Sequence, residues 1–366
     1  MKNTITSIEI KDFLLFKGVL SAEFCPGINV ITGENGSGKT TLMKVMYRLR
    51  GSSKYSQTEE FFFAAGRWNG AFDSRPFEHL RMEVITNDEN GRICIKSLRQ
   101  SGLSEEEGGG DKVLVNGNWA LYNADEFQDD FTKSFSTIFG DLQNELVFTS
   151  AGYKMAPSVF IPVNHMLAYS RGLLEMIEAY EMDFDATQVD VLRLAQRPAT
   201  KEIKPNCKRV IDKIGKIIGG IVLHENGRFY IKKSSGQLVE FSIEASGFTR
   251  LSLLWKLLRN GLLESGSVLF WDEPEASINP TLIPDIVDIL LELSRNGVQI
   301  FLATHDYNLM KYFSMARKAD DKVAFYSLYK TGNGVACERE DDYDLLEHNT
   351  IISAEIKLIE DEIKGV

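Results

Sequence analysis

Cysteine is scarce in this chain of 366 residues: Cys25, Cys94, Cys207 and Cys337 lie far apart, with no C-x-x-C pair among them. That spacing argues against a zinc ribbon, a zinc hook or a disulfide framework and for buried free thiols. Long apolar runs are lacking too. None approaches the ~18 residues that span a bilayer. The polar, strand-like start from Met1 to Ile10 has neither a signal-peptide core nor an Arg-rich transit segment. The expectation is a cytoplasmic protein with no membrane partner. Basic charge is in deficit, 41 Lys and Arg against 52 Asp and Glu for a net charge of −11. General DNA coating needs a basic face to displace phosphate counterions, so it is disfavoured, although a local basic groove stays open. Internal repeats and sustained heptads are also missing.

What is present is an ordinary globular composition, 43% hydrophobic and 25% charged. The length suits one large domain or two modest ones. Hydrophobic alternation predicts strands at Ile5–Ile10 and Val19–Phe24, then a short buried strand Ile28–Thr32 running into a Gly-rich loop. From Thr41 the apolar spacing turns helical. A hairpin is expected around a turn at Asp88–Gly91, a mobile loop at Ser101–Gly110, and a buried strand at Ser158–Val163. Residues 166–218 read as helices, followed by a hairpin turning at Glu225–Gly227 and a strand at Leu238–Ile243. After the apolar helix that starts at Gly247 come strand Val268–Trp271, helix Thr281–Ser294 and strand Val298–Ala303. The tail Thr350–Ile363 is an amphipathic helix with Ile352, Ile356, Ile359 and Ile363 on one face, expected to dock on its own domain.

Four segments carry chemistry. Gly33-Glu34-Asn35-Gly36-Ser37-Gly38-Lys39-Thr40, followed by Thr41, is a full G-x-x-x-x-G-K-T between a strand and a helix. Its glycines let backbone N–H groups turn inward around a phosphate, and the helix N-terminus favours the negative charge. Lys39 would reach the β- and γ-phosphates, and the Thr40 hydroxyl would ligate Mg²⁺. Asp272 and Glu273 end a second apolar strand. Asp272 is expected in the Mg²⁺ shell and Glu273 as the base that polarises the attacking water. His305 ends a third strand, where it could hydrogen-bond the γ-phosphate or merely cap a strand. Ser246-Gly247 opens a helix, as a second anion site or as a plain N-cap.

In this order the four segments resemble the ATP-binding-cassette ATPases. Within them the chain resembles the SMC/RecF/OLD branch, and specifically its small bacterial AAA-family ATPases. The opening IEIKDFLLFKGVLSAEFCPGINVITGENGSGKTTLMKVM, the segment DEPEASINP and the ending DYDLLEHNTIISAEI carry that resemblance. Residues from about 55 to 235 carry little of it. The resemblance implies an α/β P-loop NTPase with an SMC-head-like mixed sheet, a head formed by 1–55 and 235–366, and a hairpin and helical insertion at 56–234. It implies a head-to-tail homodimer, ATP-dependent or constitutive, around two ATP and Mg²⁺, each ATP held by one P-loop and the partner protomer's signature segment. Ser277 and Asn279 would cross the seam, Phe16 and Lys17 would lie near the base, and Asn164 is the candidate for the loop after SVFIPV. Where the family's signature has a second glycine and then Gln or Glu, this chain has Phe248 and Thr249.

Between Lys39 and Ser246 there is room for only a short helical arm, not for the coiled coil of a chromosome tether. Too little chain follows His305 to build an OLD-type nuclease domain, and Asp320–Asp321 and Asp341–Asp342 read as solvated turns. Glu175 to Asp190 carries acidic residues and no basic one, whereas Arg193 to Lys216 is strongly basic. One reading makes the two antiparallel helices that neutralise each other. The other reading makes Arg193, Arg197, Lys201, Lys204, Lys208 and Arg209 a patch for nucleic acid or an acidic partner. Phe61–Phe63 reads as core, with a partner surface as the other option. The expected function is an ATP-hydrolysing switch that gates a separate effector, a nuclease or toxin, in anti-phage defence. The alternative is a RecF-like repair ATPase that binds DNA across the dimer.

Overall fold

The computed structural model describes residues 4–49, 157–180, 182 and 184–365, and five strands between 81 and 146. Phe61–Phe63 and Ser101–Gly110 lie outside the described residues. The strands are β1 (Thr4–Phe13), β2 (Phe16–Glu23), β3 (Ile28–Gly33), β4 (Arg81–Asp88), β5 (Gly91–Arg99), β6 (Asp111–Val115), β7 (Asn118–Tyr122) and β8 (Asn144–Leu146). They continue with β9 (Ser158–Ile161), β10 (Gly220–Glu225), β11 (Arg228–Lys233), β12 (Leu238–Glu240), β13 (Val268–Asp272), β14 (Gln299–Ala303), β15 (Val323–Thr331) and β16 (Gly334–Glu340). The helices are α1 (Lys39–Leu49), α2 (Leu173–Ala179), α3 (Ala186–Gln196), α4 (Pro205–Ile218), α5 (Ser246–Arg259), α6 (Ile283–Arg295), α7 (Tyr307–Ala316) and α8 (Thr350–Lys364).

The centre is a six-stranded sheet in the order β16-β15-β3-β14-β13-β9, parallel from β15 to β9 and closed by the antiparallel β16. Its inner strands are apolar on both faces because both faces are covered. Alternation deals their side chains to two cores. Phe160, Phe270 and Phe301 join α1 and the β1–β2 ribbon in one core. Val159, Ile161, Leu269, Trp271, Ile300 and Leu302 join the α3–α7 helical layer in the other. A second sheet, β2-β1-β4-β5-β8, confirms the hairpin expected at Asp88–Gly91.

Segments read from sequence as the insertion contribute to this head directly. β9 is the edge strand of the central sheet, and Val191, Leu192, Val210 and Ile214 of α3 and α4 sit in the helical-side core. The oppositely charged segments do not pair as antiparallel helices. They meet through Arg193 and Glu178, 2.8 Å apart. The basic helix α4 instead sends Arg209 and Lys213 to Glu292 and Asp288 of α6, while Lys204 pairs with Glu264. Half of the six-residue basic patch is thus neutralised within the chain, leaving Arg197, Lys201 and Lys208 exposed.

The tail helix corrects a second expectation. Ile351 and Ile352 pack against the core, but beyond that turn α8 stands clear, with Ile356 52%, Ile359 54% and Ile363 80% exposed. Among the described residues no helix is long and apolar enough to cross a membrane.

Candidate functional site

The site forms at the carboxyl ends of β3, β13 and β14, where parallel sheets place their ligands. β3 ends at Gly33, whose φ is 139° and whose missing Cβ would lie 2.1 Å from the Leu328 carbonyl oxygen. No other residue fits between β3 and β15 there. The loop turns through Gly36 (φ 73°) and Gly38 (φ 97°), both in the region that favours glycine. Lys39 Nζ donates to the Gly33 and Glu34 carbonyls at 3.0 Å each. Burial lowers the Lys39 pKa to about 8, against the opposing fields of Asp272 and Glu273. Ser37 Oγ is buried with no hydrogen-bond partner among the described residues, and lies 2.9 Å from where a Gly33 Cβ would be.

Thr40 Oγ1 donates to Asp272 Oδ2 at 2.8 Å, joining the helix after the loop to the end of β13. Burial raises the Asp272 pKa, with the Thr40 hydrogen bond opposing. Glu273 follows at φ 46°, an unfavourable region for a residue with a Cβ, costing on the order of 1–3 kcal/mol. Three bonds hold it there: its N–H donates to the Ala303 carbonyl at 2.8 Å, and its own carbonyl accepts from Arg250 Nη2 at 2.6 Å and from the Ala276 N–H at 3.0 Å. His305, at the turn after β14, has its pKa lowered by burial and then by Lys39, while Glu273 opposes. One field therefore spans Lys39, Glu273 and His305.

Ser246 is the first residue of α5 and is exposed, while Ala245 takes the N-cap position and no side chain caps the helix. The plain N-cap reading of Ser246 is therefore not what forms. Gly247 is buried so closely that a Cβ would lie 2.6 Å from the Ser277 carbonyl oxygen. Phe248 and Thr249, which depart from the family's signature, have local work: Lys233 lies over the Phe248 ring, and Thr249 donates to the Ser246 carbonyl at 2.8 Å. Ser277 is exposed at φ 61°, and Asn279 caps the following turn by accepting from Thr281.

Several sequence candidates sit differently from expectation. Phe16 is fully buried, and its ring reaches within 2.8 Å of where a Gly38 Cβ would be. It supports the loop from beneath and presents no face to a base. Lys17 is exposed, its carbonyl against Gly334. Asn164 is exposed, and the neighbouring His165 is the one that meets α5, 3.5 Å from Thr249 Oγ1. Burial lowers the His165 pKa to about 4.

Sequence reasoning missed two residues. Arg250, 3% exposed, donates to the carbonyls of Val163, Asp272 and Glu273, so one side chain joins α5, the segment after β9 and the acidic pair. Its signal was a lone charge in the apolar run FTRLSLLW. Glu275 accepts from Thr304 and from His305, and its signal was only the repeated acid in DEPE.

A Gly-rich phosphate loop joined through Thr40 to a strand-end acid, on a sheet of this order, defines a P-loop NTPase domain of the ABC/SMC-head type. Two solved SMC heads share the fold. One, bound to the C-winged helix domain of ScpA, is 13% identical with a TM-score of 0.50 over 92% of this chain and 97% of that one. The other, with an extended coiled coil and bound to the C-terminal domain of ScpA from Pyrococcus furiosus, is 13% identical at 0.50 over 98% and 99%. The L-cystine import ATP-binding protein TcyN of Bacillus subtilis is 31% identical over 58 residues, 16% of this chain and only 20% of that protein. Residues 28–311 match the AAA domain family described as putative AbiEii toxin, Type IV TA system, and the chain belongs to that family.

Proposed function

We propose that the protein is an ATP-hydrolysing switch that closes head to tail around two ATP and gates a separate effector. The contact between Thr40 and Asp272 carries this reading, because it assembles a hydroxyl and a carboxylate beside the P-loop lysine. Hard oxygen donors of this kind suit Mg²⁺, which Thr40 and Asp272 would hold and which would supply positive charge to offset that of the phosphates. Lys39 would turn from the Gly33 and Glu34 carbonyls toward phosphate. Glu273 would accept the proton of the attacking water, and His305 would donate to the γ-phosphate.

Ser246 and the first N–H groups of α5 would serve the ATP of the partner protomer, which accounts for an uncapped, exposed helix start. The family's description as a putative toxin of a toxin–antitoxin system supports a role in bacterial defence, with a nuclease or toxin as the gated effector. The RecF-like alternative has less support, since Arg193, Lys204 and Arg209 are already paired within the chain.

The test is ATP turnover with Mg²⁺ in the wild type and in Glu273→Gln. Loss of a general base should lower turnover by about 10²-fold or more while ATP still binds. Equal turnover in the two proteins would overturn the assignment.

A further inference from the structure

Glu275 lies outside every role assigned above, yet it joins two segments of the site. Its Oε1 accepts from the Thr304 hydroxyl at 2.7 Å and from the His305 N–H at 3.2 Å. Thr304, fully buried, passes the connection on by accepting from the Asp306 N–H at 3.0 Å. Asp306 in turn caps α7 by accepting from the Leu309 N–H at 2.6 Å. The backbone from 304 to 306, which carries the imidazole, is therefore held by this carboxylate oxygen together with the bond from the Thr304 N–H to the Ile31 carbonyl at 3.0 Å. The other oxygen, Oε2, is buried with no partner among the described residues.

The backbone of Glu275 belongs to the segment that the dimer seam would use. Its carbonyl accepts from the Ile278 N–H at 3.0 Å, and between them stands Ser277, whose own carbonyl lies against Gly247. Ser277 and the turn that holds His305 are thus joined through Glu275, by its carbonyl on one side and its carboxylate on the other. An apolar side chain at 275 would leave the Thr304 hydroxyl and the His305 N–H without their acceptor.

We propose that Glu275 is a positioning residue of the nucleotide site, coupling the Ser277 segment to His305 by fixing the backbone that carries the imidazole. This rests on the ATPase reading of His305.

The test compares Glu275→Ala and Glu275→Gln, since the glutamine amide oxygen can still accept both bonds. The alanine variant should lose about 10- to 100-fold in kcat with KM and ATP affinity within about twofold, the signature of a misplaced group, not a lost contact. The glutamine variant should recover most of that loss. Adding Glu275→Ala to His305→Ala should cost nothing further. Independently of turnover, amide exchange at His305 and Asp306 should quicken in Glu275→Ala and stay slow in Glu275→Gln.

Full additivity with His305→Ala, or unchanged exchange at His305, overturns the proposal. If wild type binds ATP without turning it over, the ATPase reading falls, and the exchange comparison still decides whether Glu275 holds the turn.

Discussion

Thr40 and Asp272 are 232 positions apart in sequence, yet the hydroxyl of one donates to the carboxylate of the other at 2.8 Å. The contact ties the N-terminus of α1 to the end of β13 across β3 and β14. Asp272→Ala should therefore remove Mg²⁺-dependent turnover. Outer-shell partners of metal sites alone cost 10- to 100-fold, so loss of the carboxylate itself should cost at least about 100-fold. The ATPase rate over a Mg²⁺ titration checks this. A rate that recovers at high Mg²⁺ would still place Asp272 at the ion, whereas an unchanged rate would not.

Arg250 should matter to both stability and turnover. Its truncation takes the buried guanidinium donor from the Val163 and Asp272 carbonyls and leaves the Glu273 carbonyl with the Ala276 N–H alone. The expected cost of Arg250→Ala is about 3 kcal/mol, with turnover falling because the conformation of Glu273 is no longer held. Urea denaturation gives the first number. Arg250→Lys, with one compact ammonium, should rescue only part of it.

Glu275 should also leave a mark on the pH dependence of stability. Burial raises its pKa from the usual 4.5 to about 7, with the Thr304 hydrogen bond opposing. A raised acid stabilises the fold fully below about pH 4.5, and that contribution is lost as pH rises through about 7. Glu275→Gln escapes this loss. Its stability relative to wild type should therefore grow between pH 4.5 and 7, by at most about 3 kcal/mol, and then level off. Denaturation of both proteins at pH 5 and pH 8 checks the sign. A flat or shrinking difference would contradict it.

The tail helix gives a contrasting prediction. Because Ile359 is 54% exposed, Ile359→Glu should change stability by no more than about 0.5 kcal/mol. If the stripe were docked, as its amphipathic pattern suggests, the loss would be several times larger.

That helix shows where the sequence stops being informative. Spacing of Ile352, Ile356, Ile359 and Ile363 establishes that one face is apolar, but nothing in a linear pattern says what covers it. The P-loop was legible because a short motif fixes its own backbone. The placement of Asp272, Glu273 and His305 was legible because each ends or follows a buried strand, and a parallel sheet gathers such ends at one edge. Arg250 and Glu275 were not, since their partners are backbone carbonyls, amides and a hydroxyl contributed from distant positions. The charged segments misled for a related reason. Net charge along the chain suggested that they pair with each other, while the fold set α4 against α6 and its acids. Phe16 was similarly ambiguous until its place beneath Gly38 was seen.

The head-to-tail switch is tested most directly by the solution mass of Glu273→Gln, measured by light scattering with and without Mg-ATP. Blocking hydrolysis should trap the closed state, so ATP should double the mass, and Ser246→Arg should prevent the doubling by filling the exposed start of α5. A mass that stays the same while ATP is demonstrably bound would contradict closure by ATP and the trans role of Ser246.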